Sequence, residues 1–327
     1  MSTTTAVNDR LNHFVSNARI AAIGSYVPEE TITNADLERL VDTNDEWIVR
    51  RTGIEVRHRA ADNETTSDLA IAAVRDLLSR FPDVVAEEID AILVATTTPE
   101  RPFPSVASQV QSAIGARSAF AIDVSAACAG FVSALQLANG LLLSGTYRKV
   151  LVLGAESLTR ITDYTDRSTC ILFGDGAGAV LLETANEGSF LAANADTDGS
   201  GGMHVYCDPG AKIVQNGREV YKWALTVVPS GVQDLLDRAG IPLEKLDWLV
   251  PHSANLRMIE AICERLDLPL DKALQSVVLN GNTSAASIPL ALDAAYREGK
   301  LATGQLMALY GFGSGLTRSG LLLRWTL

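Results

Sequence analysis

The sequence has few cysteines and no long apolar run. Its 327 residues include four cysteines, and none of them forms the C-x-x-C pair of a redox motif or a zinc knuckle. No stretch approaches the about 18 consecutive apolar residues that a membrane-spanning helix requires. Residues 1–18 are polar and lack the apolar segment of a secretion signal. We therefore expect a flexible N-terminal tail on a cytoplasmic protein.

Basic residues are also scarce relative to acidic ones. There are 27 lysines and arginines against 39 aspartates and glutamates, which gives a formal net charge of −12. This balance argues against a general nucleic-acid or anionic-membrane binder, although it leaves room for a local basic patch. With 47% apolar and 20% charged residues, the composition is typical of a globular protein of about two domains or one fused core.

The chain does contain a regular alternation of short apolar runs and longer amphipathic stretches. This alternation predicts an α/β fold with largely parallel sheets. The predicted strands cover residues 91–95, 119–124, 150–154 and 179–183, and the predicted helices cover 69–81 and 131–145.

The second half of the chain repeats the pattern of the first at a constant offset. EEIDAILVATTT resembles EKLDWLVPHSAN, so that Asp90 corresponds to Asp247, an offset of 247 − 90 = 157. The same offset aligns Ser125 with Asn282, in two further segments that resemble each other. One offset that holds at separate places favours a duplication over a chance likeness of α/β units.

We therefore predict two duplicated α/β halves, residues 19–185 and 186–327, behind a tail of residues 1–18. Two such halves should pack with their sheets face to face, in a layered α/β/α/β/α arrangement. Because α/β folds bind ligands beyond the carboxyl ends of their strands, a site at the seam can draw residues from both halves.

Cys128 lies where a predicted strand gives way to a long helix. Small residues surround it in SAACAG (125–130), so that a substrate carbonyl can approach. At such a helix start, the helix dipole and free N–H groups favour a thiolate with a lowered pKa. The alternative is a buried cysteine that packs as a small hydrophobic residue.

Two polar side chains of the second half lie at equivalent strand ends. His252 follows the apolar run LDWLVP, and Asn282 lies in the loop that corresponds to that of Cys128. A capping role is a fair alternative for His252, and for Asn282 alone it is the better interpretation. Together with Cys128 they provide a thiol and two neutral hydrogen-bond donors, which suits acyl transfer with enolate stabilisation.

Two glycine-rich segments have different interpretations. GFGSGLTRSG (311–320) follows another strand and either brings backbone N–H groups to a developing oxyanion or forms a tight structural turn. FGDGAGAV (173–180) lacks the G-x-G-x-x-G spacing of a dinucleotide site, and we expect it to pack at the seam.

Six segments together resemble β-ketoacyl-acyl carrier protein synthase III, the thiolase-fold condensing enzyme that initiates fatty-acid synthesis. The resemblance runs in order from about residue 19 to the C terminus. The segments are DTNDEWIVRRTGI (42–54), DVSAACAGF (123–131), FGDGAGAVLL (173–182), VPHSANLRMIE (250–260), GNTSAASIPLAL (281–292) and GFGSGLT (311–317).

The resemblance implies a thiolase-like fold and a role for each site residue. Cys128 would accept an acyl group from acyl-CoA, and His252 and Asn282 would assist the decarboxylation of malonyl-acyl carrier protein. The resulting enolate would then attack the acyl-cysteine, in a ping-pong order. The backbone N–H groups of Cys128 and Ser314 would form the oxyanion hole. No metal or other cofactor is implied.

Further positions match the family's coenzyme A site. Trp47 and Arg167 would hold the adenine between an aromatic plane and a guanidinium plane. Without the resemblance, a core tryptophan and a surface ion pair would be the simpler interpretations. The other matched positions are Thr43, Arg51, Arg218 and Tyr221, the last a tyrosine where phenylalanine is usual.

The resemblance also implies protein partners. Phe103 matches the residue that crosses the interface of a homodimer to shape the partner's acyl pocket, and Phe312 matches a residue that lines this pocket. Lys222, Arg257 and Arg265 would form a basic docking patch for the acidic carrier protein.

The chain departs from the family pattern at several points. Its histidine motif reads HSAN rather than HQAN, Glu264 stands where lysine is common, and Arg318 stands where tryptophan is common. The loop at 198–213, expected beside the acyl pocket, is distinctive. The acyl-CoA primer therefore stays open among straight, branched and unusual chains, as does the choice between primary and secondary metabolism.

Other functions on the same scaffold remain as alternatives. An acyltransferase would pass the acyl group to an alcohol or an amine, but such members often have an altered His/Asn pair, which is intact here. A non-catalytic subunit that shapes a partner's pocket would not need Cys128 in an open turn. Thiolases proper use a second cysteine near the C terminus, and no cysteine follows Cys263.

Overall fold

Two mixed β-sheets, one from each half of the chain, organise the structure. The computed structural model describes residues 14–327. The strands are β1 (Ala18–Tyr26), β2 (Glu30–Thr33), β3 (Val56–Arg59), β4 (Ala91–Ala95), β5 (Phe120–Val124), β6 (Lys149–Ser157), β7 (Asp175–Thr184), β8 (Phe190–Thr197), β9 (Val205–Tyr206), β10 (Val214–Gln215), β11 (Trp248–Pro251), β12 (Leu306–Gly313) and β13 (Thr317–Arg324). The helices are α1 (Asn34–Glu38), α2 (Asp45–Thr52), α3 (Thr66–Arg80), α4 (Val106–Ile114), α5 (Gly130–Leu143), α6 (Gly217–Ala239), α7 (Leu256–Leu266), α8 (Val277–Asn280) and α9 (Ser287–Arg297).

The two sheets have the same strand order, as the duplication predicts. The first runs β1-β7-β6-β4-β5 and the second runs β8-β13-β12-β11. The place that corresponds to β5 is reduced in the second sheet to a single bridge between Leu249 and Ala273. The prediction of largely parallel sheets was wrong, because β7, β1, β13 and β8 all pair antiparallel to their neighbours.

The offset of 157 reappears in the hydrogen bonds that start the strands. The Asp90 N–H donates to the Lys149 carbonyl at 2.9 Å, and the Lys149 N–H donates to the Asp90 carboxylate at 2.9 Å. Asp247 and Leu306 make the same two bonds, at 2.9 and 2.7 Å, and 306 − 149 is again 157. Asp90 and Asp247 therefore make equivalent hydrogen bonds at the start of equivalent strands in the two halves.

Helices α5 and α9 lie between the sheets and form the central layer. Phe131 on α5 and Leu292 on α9 share one buried core with Val152 of β6 and Leu309 of β12. Helices α3 and α4 cover the outer face of the first sheet, and α6 and α7 cover that of the second. The predicted α/β/α/β/α arrangement is confirmed.

The predicted tail falls mostly outside the described residues, which begin at Phe14. Within residues 14–18, the Ser16 hydroxyl donates to the Asn139 side chain at 2.7 Å, and β1 begins at Ala18. Ordered chain therefore starts before the predicted boundary at residue 19. No helix of the described part is both long and apolar enough to cross a membrane.

Candidate active site

One large cavity opens between the two halves, at the carboxyl ends of the central strands. Its volume is about 2040 Å³, above the roughly 300–1,000 Å³ of an ordinary small-molecule pocket. Cys128, His252 and Asn282 all line it. The structure thus brings together the three side chains that the sequence placed at separate strand ends.

Cys128 lies in a tight turn, Ala127–Ala129, between β5 and α5. Ala127 takes a positive φ of 46° there, which directs the chain from the strand into the helix. Strand β12 runs directly against this turn: a Cβ added to Gly313 would lie 2.9 Å from the Cys128 Cβ and 3.1 Å from its Sγ. Only glycine at 313 leaves the thiol its present position.

The expected lowering of the Cys128 pKa was wrong. Burial among the surrounding elements raises the pKa of this thiol to about 12, and the nearby Glu156 carboxylate adds to the rise. A neighbouring Ser284 hydroxyl opposes it only in part. Removal of water from the sulfur is the largest cause of this rise, and with this pKa the thiol is protonated at neutral pH.

His252 follows β11 and is held on several sides. Its backbone N–H donates to the Tyr310 carbonyl at 2.8 Å, and its Nδ1 lies 2.8 Å from the Ser287 hydroxyl. Phe312 packs edge-on against the ring, with centroids 5.3 Å apart. Burial lowers the pKa of His252 to about 3, opposed in part by a hydrogen bond to the Ser284 carbonyl. The imidazole is therefore neutral. Because a carbonyl oxygen can only accept a hydrogen bond, the ring nitrogen that faces the Ser284 carbonyl carries the proton.

Asn282 is held through both its side chain and its backbone. Its Oδ1 accepts from the N–H of Ser284, the first residue of the short Ser284–Ala286 turn, at 2.9 Å. Its backbone is clamped as well, because its N–H donates to the Leu172 carbonyl at 2.8 Å and its carbonyl accepts from the Gly174 N–H at 3.1 Å. With the side-chain oxygen engaged, the amide nitrogen remains as the donor toward the cavity.

Ser284 is a site residue that sequence reasoning missed. It is 4% exposed with a φ of 48°, and it corresponds to Ala127 through 284 − 127 = 157. Its N–H fixes Asn282, its carbonyl faces His252, and its hydroxyl neighbours Cys128. The repeat could have marked the position as the counterpart of the nucleophile turn, but not the contacts.

Glu156 is a second missed residue, at the end of β6. It is fully buried, and its carboxylate accepts from the Thr98 hydroxyl at 2.6 Å and the Thr97 N–H at 3.1 Å. Burial raises its pKa. The carboxylate thus holds residues 96–98 in place through hydrogen bonds, and these residues form one wall of the cavity.

The mouth of the cavity holds the aromatic–guanidinium pair. The Arg167 guanidinium carbon lies 4.7 Å from the centroid of the Trp47 ring, and that of Arg51 lies 5.6 Å from it. All three residues line the cavity. Thr43 does not: its hydroxyl is buried just before α2 and has no hydrogen-bond partner among the described residues.

The first turns of α6 and α7 supply the polar rim. Arg218, Tyr221, Lys222 and Arg257 all line the cavity. Two of these cations have acidic neighbours, since Lys222 pairs with Glu219 at 2.8 Å and Arg257 pairs with Glu260 at 2.6 Å. The structure does not bring Arg265 to this rim. It lies eight residues beyond Arg257 on α7, or about 12 Å, and binds the Leu225 carbonyl.

The remaining predicted residues divide between the interior and the surface. Phe312 is 1% exposed, lines the cavity and contacts His252. Ser314 lines the cavity, and its hydroxyl donates to the Val205 carbonyl at 2.5 Å. Phe103 is 83% exposed and lies outside the cavity wall of its own chain. Within residues 14–327, no group of three or more His, Cys, Asp or Glu side chains is arranged to hold a metal ion.

Family models, related sequences and solved structures all identify the same family for this chain. The family model described as 3-oxoacyl-[acyl-carrier-protein] synthase III matches residues 122–199, and the model of its C-terminal part matches residues 236–325. The β-ketoacyl-[acyl-carrier-protein] synthase III 2 of Halalkalibacterium halodurans is 54% identical over 325 residues, which cover 95% of this chain and 98% of that protein. The corresponding Bacillus subtilis protein is 51% identical over 324 residues, 95% of this chain and 99% of that protein.

A solved structure adds the fold. The crystal structure of β-ketoacyl-[acyl-carrier-protein] synthase III from Thermus thermophilus superimposes with a TM-score of 0.91 at 44% identity. The match covers 94% of this chain and 99% of that one. The chain therefore belongs to the β-ketoacyl-[acyl-carrier-protein] synthase III family, acyltransferases that act as condensing enzymes to initiate fatty-acid synthesis.

Proposed function

We propose that this chain condenses an acyl-CoA with malonyl-acyl carrier protein in two stages, with Cys128, His252 and Asn282 as its catalytic residues. The observation that carries the proposal is the convergence of a thiol from one half with an imidazole and a carboxamide from the other in one cavity. A thiol serves the transfer of the acyl group, and two neutral donors serve the charge that develops afterwards.

In the first stage the Cys128 sulfur attacks the thioester carbonyl of acyl-CoA. The carbon–sulfur bond to CoA then breaks, the thiol proton goes to the CoA sulfur, and acyl-Cys128 remains. The backbone N–H groups of Cys128 and Ser314 would stabilise the tetrahedral oxyanion. The glycines that let β12 approach the Cys128 turn support this role, because β12 runs against Cys128 at Gly313, the residue directly before Ser314.

In the second stage the malonyl thioester loses carbon dioxide, and negative charge develops on its thioester oxygen. His252 is suited to stabilise this charge because burial keeps its imidazole neutral, with a pKa lowered to about 3. Asn282 adds its amide nitrogen, since its oxygen is held by the Ser284 N–H. The enolate carbon then attacks the acyl-Cys128 carbonyl, the carbon–sulfur bond breaks, and the released sulfur takes up one proton.

The rim supports entry of both substrates along one channel. The adenine of CoA would lie between Trp47 and Arg167, which requires the guanidinium to move off the ring it now covers. Arg51, Arg218 and Tyr221 line the same channel. We assign the phosphopantetheine arms of CoA and of the carrier protein to this shared passage, which ends at Cys128.

The carrier protein would dock at the rim through Lys222 and Arg257. Their acidic neighbours Glu219 and Glu260 reduce the local positive charge, so steering should be weak and salt-sensitive. Arg265 would contribute at the edge of the docking patch, away from the channel.

We also propose a homodimer in which Phe103 reaches the partner's acyl pocket. The exposed Phe103 ring supports this, because a phenylalanine that is 83% exposed gains little on its own chain. The four cysteines are free thiols, which supports a reducing, cytoplasmic setting.

The proposal is tested by separating the two stages. The protein is mixed with a panel of straight and branched acyl-CoAs, and acyl-Cys128 is read by intact mass. Malonyl-acyl carrier protein is then added and carbon dioxide release is measured. Acylation without carbon dioxide release would instead indicate transfer to another acceptor, and no acylation with any thioester would end the catalytic proposal.

Two variants check the division of labour. Cys128→Ala should abolish acyl loading, because no nucleophile remains. His252→Ala should still load but condense about 10²–10³-fold more slowly, the usual loss when one oxyanion donor is removed. Cys207→Ser changes an exposed thiol on the same cavity wall and is the matched control. It should load the acyl group and condense it at the wild-type rates. Equal loss of loading in Cys128→Ala and His252→Ala would contradict these roles.

A further inference from the structure

Arg57 is a completely buried cation that the proposed chemistry does not use. It lies on β3 with 0% of its surface exposed. Within residues 14–327 its hydrogen bonds go to neutral oxygens, a backbone carbonyl and an asparagine side chain, rather than to a carboxylate. Burial lowers the pKa of Arg57 to about 10, which still leaves it charged at neutral pH. A buried charge is costly unless its donors are satisfied, so its contacts show what it holds in place.

On one side Arg57 holds the segment that clamps Asn282. Both its Nε, at 3.0 Å, and its Nη2 donate to the Ile171 carbonyl. The next residues pair with Asn282, through the Leu172 carbonyl at 2.8 Å and the Gly174 N–H at 3.1 Å. A guanidinium that fixes Ile171 therefore fixes the strand-like segment that carries the Asn282 backbone.

The stem of Arg57 also packs under the Asn282 loop. A Cβ added to Gly281 would lie 2.8 Å from the Arg57 Cγ, and Gly281 has a φ of 65°. The residue before Asn282 therefore rests on the arginine stem with no room to spare. A shorter or thinner side chain at 57 would remove this support.

On its other side Arg57 is tied to the mouth of the channel. Its Nη1 donates to the Asn34 Oδ1 at 2.6 Å, and the Asn34 amide donates to Asp45 at 2.7 Å in the first turn of α2. Helix α2 carries Trp47, and Arg167 lies four residues before Ile171, the first residue of the 171–174 segment that pairs with Asn282. Arg57 therefore joins both sides of the aromatic–guanidinium pair to the loop of the condensing amide.

We propose that Arg57 is a positioning residue for the condensation stage, acting through the 171–174 segment to hold the Asn282 amide where the enolate oxygen forms. The inference rests on the role proposed above for Asn282. Arg57 does not line the cavity, and none of its hydrogen bonds goes to Cys128 or its turn, so we assign it no part in acyl transfer. A purely structural arginine would instead affect both stages together.

The test is Arg57→Lys, which keeps the charge but cannot reach Ile171 and Asn34 in the forked geometry of a guanidinium. At saturating acyl-CoA, where binding at the channel mouth no longer limits the reaction, the rate of acyl loading of Cys128 should stay within about 2-fold. Carbon dioxide release from malonyl-acyl carrier protein should fall about 10–100-fold, because a donor is displaced rather than removed. Arg59→Lys is the matched control: it lies on the same strand, its side chain is 43% exposed, and the change should affect neither stage.

Asn34→Ala covers the case in which Arg57→Lys does not fold. It removes one acceptor of the guanidinium and leaves the Ile171 bonds. Carbon dioxide release should therefore again fall more than acyl loading, but by a smaller factor than in Arg57→Lys. Equal slowing of loading and condensation in a folded variant, or no slowing of condensation in either, would overturn the inference. If the wild-type protein itself loads but releases no carbon dioxide, the proposed function has failed instead, and that outcome is visible in the same assay.

Discussion

The Cys128 thiol holds its proton more tightly than a cysteine in water. Its pKa rises to about 12 because the surrounding elements remove water from the sulfur and the Glu156 carboxylate disfavours a second negative charge. The first turn of α5 begins only two residues later, and loss of hydration is the largest cause of the rise. As the proposed nucleophile, Cys128 would therefore react as a small thiolate population, or lose its proton only as the acyl group arrives.

Alkylation by iodoacetamide should report this property directly. Because the folded thiol titrates far above neutrality, the modification rate of Cys128 should rise about tenfold per pH unit from pH 7 to 9 without a plateau. Peptide mass spectrometry separates Cys128 from the exposed Cys207. In the denatured chain both should behave as ordinary thiols and level off near pH 9. If the alkylation rate of Cys128 in the folded protein levelled off at neutral pH, the pKa of its thiol would instead be lowered, as expected at a helix N terminus.

That Cys128, His252 and Asn282, the three proposed catalytic residues, share one site could be predicted from the sequence, but the contacts that support them could not. Cys128, His252 and Asn282 stand at strand ends, and the repeat relates their loops. Ser287 reaches His252 across 35 residues, and Arg57 reaches Ile171 across 114. Contacts of this kind depend on how the two halves pack, which no local spacing encodes.

At the scale of elements, the two halves build the same turn for different purposes. The turns Ala127–Ala129 and Ser284–Ala286 both begin with a residue of positive φ, 46° and 48°, and both lead into a central helix. One carries Cys128, and the other begins with Ser284, which contacts both Asn282 and His252. The duplicated backbone therefore sets two complementary loops against each other across the seam.

Strand β12 makes this arrangement sensitive to one glycine. Gly313→Ala places a methyl group 3.1 Å from the Cys128 Sγ, so the thiol must shift. Acyl loading should slow about 10–100-fold, since a displacement of about 1 Å can cost that much. Gly140→Ala is the matched control, because nothing lies within 4 Å of its added Cβ on α5. It should leave loading unchanged and stabilise the fold by about 0.5–1 kcal/mol. Unchanged loading in Gly313→Ala, measured by stopped-flow mass analysis, would refute the contact.

The sequence was most reliable for buried central strands and least reliable for strand direction. The predicted strand at 91–95 is β4 to the residue, and that at 150–154 is the middle of β6. Direction failed because β6 and β7 are joined by an irregular segment, and β12 and β13 by a short turn, instead of helical crossovers. Alternating hydrophobicity marks a strand but says nothing of how the chain returns.

At the scale of the whole molecule, the two halves form one body rather than two hinged domains. Besides the apolar seam, the fully buried carboxylate of Asp293 on α9 pairs with Arg80 on α3 at 2.6 Å. The Arg297 side chain extends the same network to Asp76. A site assembled from both halves needs this rigidity, because small shifts between them would separate the thiol from its two donors.

The first sheet ends in an open edge strand, β5. Strand β5 pairs only with β4 within the described residues, and its Phe120 and Ile122 are 45% and 37% exposed. An unpaired apolar edge of this kind favours strand pairing between chains. We therefore expect the wild-type protein to run at the mass of two chains in light scattering, with β5 edges adjoining and Phe103 nearby.

Ile122→Lys should convert this dimer to single chains, because it sets like charges at a shared edge and lysine is what natural edge strands use to prevent pairing. Leu279→Lys makes the same change at a leucine that is 59% exposed on α8, away from this edge, and should leave the dimer intact. Light scattering over a dilution series distinguishes the two. A wild-type protein that is monomeric at every concentration would remove the route by which Phe103 reaches another chain's pocket, and a dimer that survives Ile122→Lys would move the interface away from β5.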